Sequence, residues 1–135
     1  MQINYYGKKI KIEIMTKRVP KIVQKWVDNI KRTDPASQTK FYSKNAILLA
    51  TFETMLIGRE QIIGYMKEFL DKDNMKARIL ENYTKVDYDK DTKIANGLYE
   101  FTYTENGEIQ KVVARYTFVI NRGRIITQHS SVNPE

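Results

Sequence analysis

The stretch "GLYEFTYTENGEIQKVVARYTFVINRGRIITQHSSV" (residues 97–132) decides the fold of this chain. Apolar and aromatic residues alternate with polar ones through much of it, which is typical of strands with one buried face. The segments "ENG" and "NRG" interrupt the alternation, and both end in glycine, which adopts the backbone conformations that tight hairpin turns require. The stretch therefore predicts the last three strands, 93–104, 108–120 and 124–132, as an antiparallel meander.

Helical patterns precede this meander. Apolar residues recur at helical spacing over 22–30, after a proline at a favourable first helical position, Pro20. Asp34 followed by Pro35 predicts the capped start of a second, short helix that ends near Tyr42. The segment "GREQIIGYMKEFL" (58–70) again has apolar residues at helical spacing and predicts a third helix.

Two further segments complete the predicted sheet. The apolar run "AILLATF" (46–52) indicates a buried strand, and residues 77–88 lead into the meander as another strand. Because helices come first and strands follow, we predict an α+β fold. We expect a cone-shaped curved antiparallel sheet with three N-terminal helices on its concave face and an apolar cavity between them.

The first residues follow a different pattern from the rest. "KKIKIEI" (8–14) alternates strictly between charged and apolar residues and predicts a half-buried strand. We therefore divide the chain into an N-terminal extension, residues 1–16, with an added strand, and one domain, residues 17–135.

Composition limits the classes of function. The chain has 135 residues, no cysteine, one histidine and a net charge of +7. Its basic residues are scattered and no nucleic-acid-binding motif is present, so we expect the charge to solvate the protein and attract a small anion rather than nucleic acid. No apolar run is long enough to span a membrane, and the amino end lacks a signal-peptide pattern, so we expect a cytoplasmic protein without a membrane partner. One histidine without cysteine does not predict a metal site.

The lengths of the last two turns decide which residues face the cavity. Three-residue loops would pair Thr104 with Glu108 and Ile120 with Arg124. Side chains alternate along strands, so one face would then carry Arg115, His129, Ser131, Tyr99 and Phe101. Two-residue loops would slip each pairing by one residue, turn His129 away and leave Gln128 and Ser130 lining the cavity. We favour the three-residue loops because both turns end in glycine.

Arg115 is unusual because it lies within the apolar strand "VVARYTFVI" (112–120). A buried arginine needs an acidic partner, a bound anion or an interface. Glu100 is an alternative structural partner for it. Tyr65 lies on the apolar stripe of the third helix, and Trp26 on that of the first. Both are interpreted either as core residues or as walls of a pocket.

Four segments carry a resemblance to a known superfamily: "ILLAT" (47–51), "GLYEFTY" (97–103), "VARYTFVI" (113–120) and "HSSVNPE" (129–135). In this order and spacing they resemble the SnoaL-like, nuclear-transport-factor-2-like proteins, in the branch of the calcium/calmodulin-dependent protein kinase II association domain. Within it the chain looks most similar to iota-class carbonic anhydrases. It departs from their pattern at Gln128, where they have histidine, at Ala50, where they have proline, and at Arg124, where they have tryptophan.

The resemblance implies a metal-independent carbonic anhydrase without a cofactor, which hydrates carbon dioxide reversibly and holds bicarbonate in the cone. The implied catalytic residues are Thr51, Tyr65, His129 and Ser131. The predicted substrate-binding residues are Arg115, Tyr99, Trp26 and Gln128. An alternative is a non-catalytic module that assembles and binds a small carboxylate, and a third is a SnoaL-like isomerase with Glu100 or Glu53 as base.

Strand 108–120 also predicts assembly. Val112, Ala114, Tyr116, Phe118 and Ile120 form an apolar face opposite Arg115. If Arg115 faces the cavity, this apolar face lies on the outside of the sheet, where it is too apolar for water. We therefore predict a homo-oligomer, at least a dimer, with further assembly through residues 8–14.

Overall fold

The computed structural model describes residues 2–5, 8–11, 14–50, 55–87 and 91–134, with side chains from residue 15 onward. Three α-helices are present in these ranges: α1 Lys21–Asn29, α2 Pro35–Thr39 and α3 Arg59–Phe69. A 3₁₀ turn, Ile30–Arg32, extends α1. The strands are β1 Gln2–Tyr5, β2 Lys8–Lys11, β3 Ile14–Thr16, β4 Tyr42–Leu49, β5 Met55–Ile57, β6 Asp73–Val86, β7 Thr92–Glu105, β8 Glu108–Asn121 and β9 Arg124–Val132.

Seven of the strands form one mixed sheet in the order β3-β6-β7-β8-β9-β4-β5. β4 and β9 run parallel, and the other neighbouring pairs are antiparallel. The predicted α+β class, with helices before a meander, is confirmed. The prediction of a wholly antiparallel sheet was wrong for one strand pair, because β4 lies beside β9, the last strand of the chain, and runs parallel to it.

The helices begin and end for local reasons. Pro20 directly precedes α1, and the Asp34 side chain accepts a hydrogen bond from the Ala36 backbone N–H at 3.1 Å. Pro35 occupies the first position of α2, where its missing N–H leaves no bond unmade. β4 begins at Tyr42, four residues before the predicted strand, because its first residues already lie beside β9.

The helices cover the inward face of the sheet with their apolar residues. Val23, Trp26 and Val27 of α1 are buried, as are Ile62 and Met66 of α3. They contact the inward side chains of β6 to β9 in a single core. The periodicity of the sequence predicted these helical faces correctly.

The segment 8–14 forms parts of two different strands rather than one. β2 pairs with β1 in a separate two-stranded sheet, whereas β3 pairs with β6 at the edge of the large sheet. The prediction of one continuous strand was therefore wrong.

The β7–β8 and β8–β9 hairpins have two-residue loops, so the prediction of three-residue loops was wrong. Asn106 and Gly107 have φ angles of 52° and 77°, and Arg122 and Gly123 have 49° and 76°. Positive φ at both central residues is the requirement of the turn whose twist matches that of the flanking strands. Glu105 therefore pairs with Glu108, and Asn121 with Arg124.

This register separates the predicted polar face from the aromatic one. Arg115 lies opposite Leu98 on β7, on the face away from Tyr99. In the β8–β9 pair the register shifts by one residue after Val119, so Arg115 lies opposite Ser131. A three-residue loop would also have placed Arg115 and Ser131 on one face. Arg115, His129 and Ser131 do share one face of the sheet. It is the face opposite to that of Tyr99 and Phe101.

Candidate functional site

A cavity of about 250 Å³ lies between the helices and the inward face of β7, β8 and β9. Residues from α1, α3 and these strands line it, together with Leu48 and Ala50 at the end of β4. Six aromatic side chains dominate its walls: Trp26, Tyr65, Phe69, Tyr99, Phe101 and Tyr103. The cavity is thus the predicted pocket between helices and sheet, and it is mainly aromatic.

The aromatic walls follow from the two periodicities of the chain. Tyr65 and Phe69 lie one turn apart on α3 and stack with ring centroids 5.6 Å apart. Tyr99 and Phe101 lie two residues apart on β7, and their ring centroids are 4.6 Å apart. Trp26 stacks on Tyr99 at 5.7 Å. Stacked and edge-on ring pairs of this kind hold the walls in fixed orientations.

A chain of hydrogen bonds crosses the polar wall of the cavity. The Trp26 indole Nε1–H donates to the Tyr42 hydroxyl at 3.0 Å, and Tyr42 donates to the Gln128 side-chain carbonyl. The Gln128 amide nitrogen donates to the Tyr99 hydroxyl at 3.3 Å. Tyr99 in turn donates to Ser130 Oγ at 2.7 Å. We name these five side chains the polar relay.

The polar relay is uncharged. Burial raises the pKa of the Tyr42 hydroxyl well above its ordinary value of 10.0. Burial also raises the pKa of Tyr99, although its hydrogen bonds with Ser130 and Gln128 oppose the shift. Both phenols therefore keep their protons at neutral pH. Lys72 also lines the cavity, with its Nζ 5.5 Å from the ring centroid of Tyr103.

Four of the eight predicted site residues line the cavity: Trp26, Tyr65, Tyr99 and Gln128. Tyr65 and Tyr99 contribute rings to the walls, and Trp26 is both a wall and the first donor of the relay. Thr51 lies outside the described residues, as does Glu53. Placing Arg115, His129 and Ser131 in the cavity was wrong.

These three residues lie on the outward face of the sheet. Arg115 and His129 are exposed, and the Arg115 guanidinium Nε donates to Ser131 Oγ at 3.2 Å. Glu100, the alternative partner for Arg115, instead forms an ion pair with Arg78 at 3.1 Å. Because Arg115 is solvated, it needs no buried anion. Arg115 therefore does not indicate an anion site in the cone.

The same register corrects the predicted dimer face. Ala114, Tyr116, Phe118 and Ile120 are buried in the core, and Val112 lines the cavity. They are the inward face of β8. The exposed apolar residues of the described chain include Leu49, Met55 and Ile57 at the β4–β5 edge.

Tyr42 and Lys72 belong to the site although the sequence did not single them out, and Ser130 belongs to it although only the alternative register placed it there. Ser130 lies on the cavity face with Gln128 because of the register shift after Val119; two-residue loops without this shift would place His129 and Ser131 on the face of Tyr99. The dipeptide Asn106-Gly107 favours a two-residue hairpin turn and could have predicted the register of β7 with β8, but the shift after Val119 had no comparable signal in the sequence. Tyr42 had no comparable signal, since its position depends on the parallel pairing of β4 with β9.

The described lining residues include no carboxylate and no imidazole. Nowhere in the described ranges do three or more metal-ligating side chains cluster. The helices in the same ranges are all too short or too polar to cross a membrane. The site can therefore bind apolar surface and make neutral hydrogen bonds.

Comparisons with known proteins agree on the fold. Residues 15–134 match the family model of the calcium/calmodulin dependent protein kinase II association domain. A structure from Xanthomonas campestris, whose description names that association domain, is 33% identical, with 84% of each chain covered and a TM-score of 0.76. No curated protein sequence matches the chain.

More distant structures share the architecture. A nuclear transport factor 2-like protein from Salmonella enterica is 16% identical, covers 84% of this chain and 87% of its own, and has a TM-score of 0.71. A ketosteroid isomerase-like protein from Erwinia carotovora is 13% identical, with 84% and 92% covered and a TM-score of 0.69. At this identity the likeness concerns the fold alone.

Proposed function

This chain belongs to the calcium/calmodulin dependent protein kinase II association domain family, and from that premise we propose a binding and assembly function. Copies of the chain associate with one another, and the cavity of each copy binds a small, largely apolar molecule through neutral hydrogen bonds. The observation that carries the proposal is the aromatic cavity with its uncharged polar relay.

The size and lining of the cavity support a small ligand. Ligand pockets are concave, mostly apolar and contain a few placed polar groups. A volume of about 250 Å³ suits a molecule of one or two rings, since cavities of ~150 Å³ already bind benzene. The flat walls formed by Trp26, Tyr99 and Phe69 favour a planar ligand.

An apolar patch on the outward face supports assembly. Leu49 lies opposite Met55, and Ile47 lies opposite Ile57, all on the outward face of the β4–β5 edge. Met55 and Ile57 are each about half exposed in the single chain. We name these four residues the outer patch. Exposed apolar patches mark protein contacts, and a second copy that presents the same patch would cover it.

Light scattering on the intact chain tests the assembly. We expect a mass above the 15.9 kDa of one chain at micromolar concentration. The double variant Leu49→Asp, Ile57→Asp should lower that mass, because charges resist burial in an interface. Ile109→Asp is the matched control, since Ile109 is exposed beside the β7–β8 loop and far from the outer patch in the sheet. A parent protein of monomeric mass would refute the assembly.

Ligand binding is tested by blocking the cavity. Ala114→Phe would place a ring in the lined space, and we expect it to abolish the binding of one-ring aromatic compounds. Val113→Phe is the control, because Val113 is the neighbouring residue on the outward face of β8. Saturation-transfer NMR with a small aromatic library measures both. Equal binding by the two variants would show that the cavity is not the site.

Metal-independent hydration of carbon dioxide is a second candidate. It is supported by the hydroxyls of Tyr65, Tyr99 and Ser130, which border an apolar space where carbon dioxide would be soluble. Hydration of carbon dioxide to bicarbonate releases one proton, and because His129 lies on the outward face, this proton would pass from the attacking water to solvent water. Stopped-flow hydration after exhaustive chelation tests it: acceleration that is lost in Ser130→Ala but kept in Ser131→Ala would establish the enzyme. A rate equal to the spontaneous reaction would exclude it.

A further inference from the structure

We propose that the polar relay makes the cavity selective for a neutral hydrogen-bond acceptor, such as the carbonyl oxygen of a ketone, ester or amide. This inference rests on the proposed binding function and names the ligand class for the same cavity. Gln128 is the selecting residue, and Tyr42 is the positioning residue that fixes the orientation of its amide.

The direction of the relay follows from its first member. An indole N–H donates and has no lone pair in the ring plane to accept with, so the Tyr42 oxygen must accept from Trp26. The Tyr42 hydrogen must then go to another acceptor, and Gln128 Oε1 is in position to accept it. The carbonyl end of the Gln128 amide is thereby held toward Tyr42, and its nitrogen toward Tyr99.

The flipped amide is unfavourable. If Gln128 turned its nitrogen toward Tyr42, the Tyr42 oxygen would accept from both Trp26 and Gln128, and its own hydrogen would have no acceptor within the relay. Tyr42 and Gln128 are almost fully buried, with 0% and 1% of their surface exposed. A buried hydroxyl without an acceptor is strongly disfavoured, so one amide orientation predominates.

This orientation leaves a donor at the cavity. A primary amide has two N–H groups, and the Gln128 nitrogen donates one of them, to Tyr99. Within the described part of the chain the other N–H has no protein acceptor. Because Gln128 lines the cavity, this N–H is available to a ligand. A ligand that accepts a hydrogen bond satisfies it, whereas a purely apolar one leaves it unsatisfied.

The charge of the site favours a neutral acceptor over an anion. The relay offers neutral donors, and the tyrosines keep their protons at neutral pH. A carboxylate would have to leave water for a mostly aromatic space, with Lys72 as the cation of the described lining. A ketone loses little hydration by comparison. We therefore expect a ketone to bind more tightly than a hydrocarbon of similar size, and more tightly than a carboxylate.

Three ligands of similar size separate these classes: acetophenone, a neutral acceptor; ethylbenzene, its hydrocarbon counterpart; and benzoate, an anion. Dissociation constants are measured on the intact protein by ¹⁵N NMR titration, followed at the single tryptophan indole and at the Gln128 side-chain amide. We expect acetophenone to bind about three- to tenfold more tightly than ethylbenzene, the effect of one neutral hydrogen bond, and more tightly than benzoate. We also expect acetophenone alone to shift the Gln128 amide protons strongly.

Gln128→Met tests the selecting residue, because methionine keeps a similar length and has no N–H donor. We expect the preference for acetophenone over ethylbenzene to vanish while ethylbenzene still binds. Tyr42→Phe frees the amide to rotate, and the preference should fall there as well. Met66→Leu is the control: it changes a lining residue outside the relay, and the preference for acetophenone over ethylbenzene should remain.

The outcomes distinguish this inference from the proposed function. Equal binding of acetophenone and ethylbenzene by the parent protein, tighter binding of benzoate, or an unchanged preference in Gln128→Met would overturn the inference and leave a binding cavity. The parent measurements decide even if a variant fails to fold. If none of the three ligands binds, both the inference and the binding function of the cavity are wrong.

Discussion

Replacing Gln128 and His129 by alanine, one at a time, should have opposite outcomes although the two residues are neighbours. Gln128 is 1% exposed and bonded to two buried tyrosines, whereas His129 is exposed on the outward face. Gln128→Ala leaves the buried Tyr42 hydroxyl without its acceptor, which costs about 1–3 kcal/mol. It also removes the bond to Tyr99, worth about 0.5–1.5 kcal/mol. We expect the free energy of unfolding to fall by about 2–4 kcal/mol.

His129→Ala should change the free energy of unfolding by less than about 0.5 kcal/mol, as is usual for an exposed position. Urea unfolding of both variants and the parent, at one protein concentration, measures the difference, since assembly shifts apparent stability. Light scattering on each sample shows whether equal assemblies are being compared. Equal destabilisation by the two changes, or a larger effect of His129→Ala, would refute the register and with it the placement of the site.

Two further predictions concern packing and pH. A Cβ at Gly97 would lie 2.0 Å from the Glu81 carbonyl oxygen, so Gly97→Ala should lower the free energy of unfolding by at least about 3 kcal/mol. A Cβ at Gly64 on α3 would have no atom within 4 Å, so Gly64→Ala should raise the free energy of unfolding by about 1 kcal/mol. Thermal unfolding measures both, and a more stable Gly97→Ala than Gly64→Ala would show the close approach at Gly97 to be wrong. Burial raises the pKa of Tyr42, Tyr99 and Tyr116, so the unfolded state releases three protons above about pH 10 that the folded state holds. Stability should be steady from pH 7 to 9 and then fall by about 1.4 kcal/mol per pH unit for each phenol, and tyrosine absorbance that titrates fully below pH 10 without unfolding would contradict this.

The sequence by itself determined the main helices and strands and the buried faces of the helices. Local periodicity predicted the apolar stripe of α1 with Trp26, the stripe of α3 with Met66, and the alternation of Tyr99 and Phe101 on β7. It could do so because helix and strand periodicities are properties of a few consecutive residues. The same local pattern predicted the α+β class and an apolar cavity between helices and sheet. The resemblance in the last forty residues pointed to the family.

Tertiary structure alone decided which polar residues meet. Strand register depends on loop length, and a slip of one residue exchanges the faces of a whole strand. The two-residue turn at Asn106-Gly107 moved Arg115 away from Tyr99, while the shift after Val119 kept Arg115 on the face of Ser131. Tyr42 reaches Gln128 because β4 runs parallel to β9, 86 residues away in the chain. No local pattern encodes such a pairing, because its energy arises only when distant segments are buried against each other.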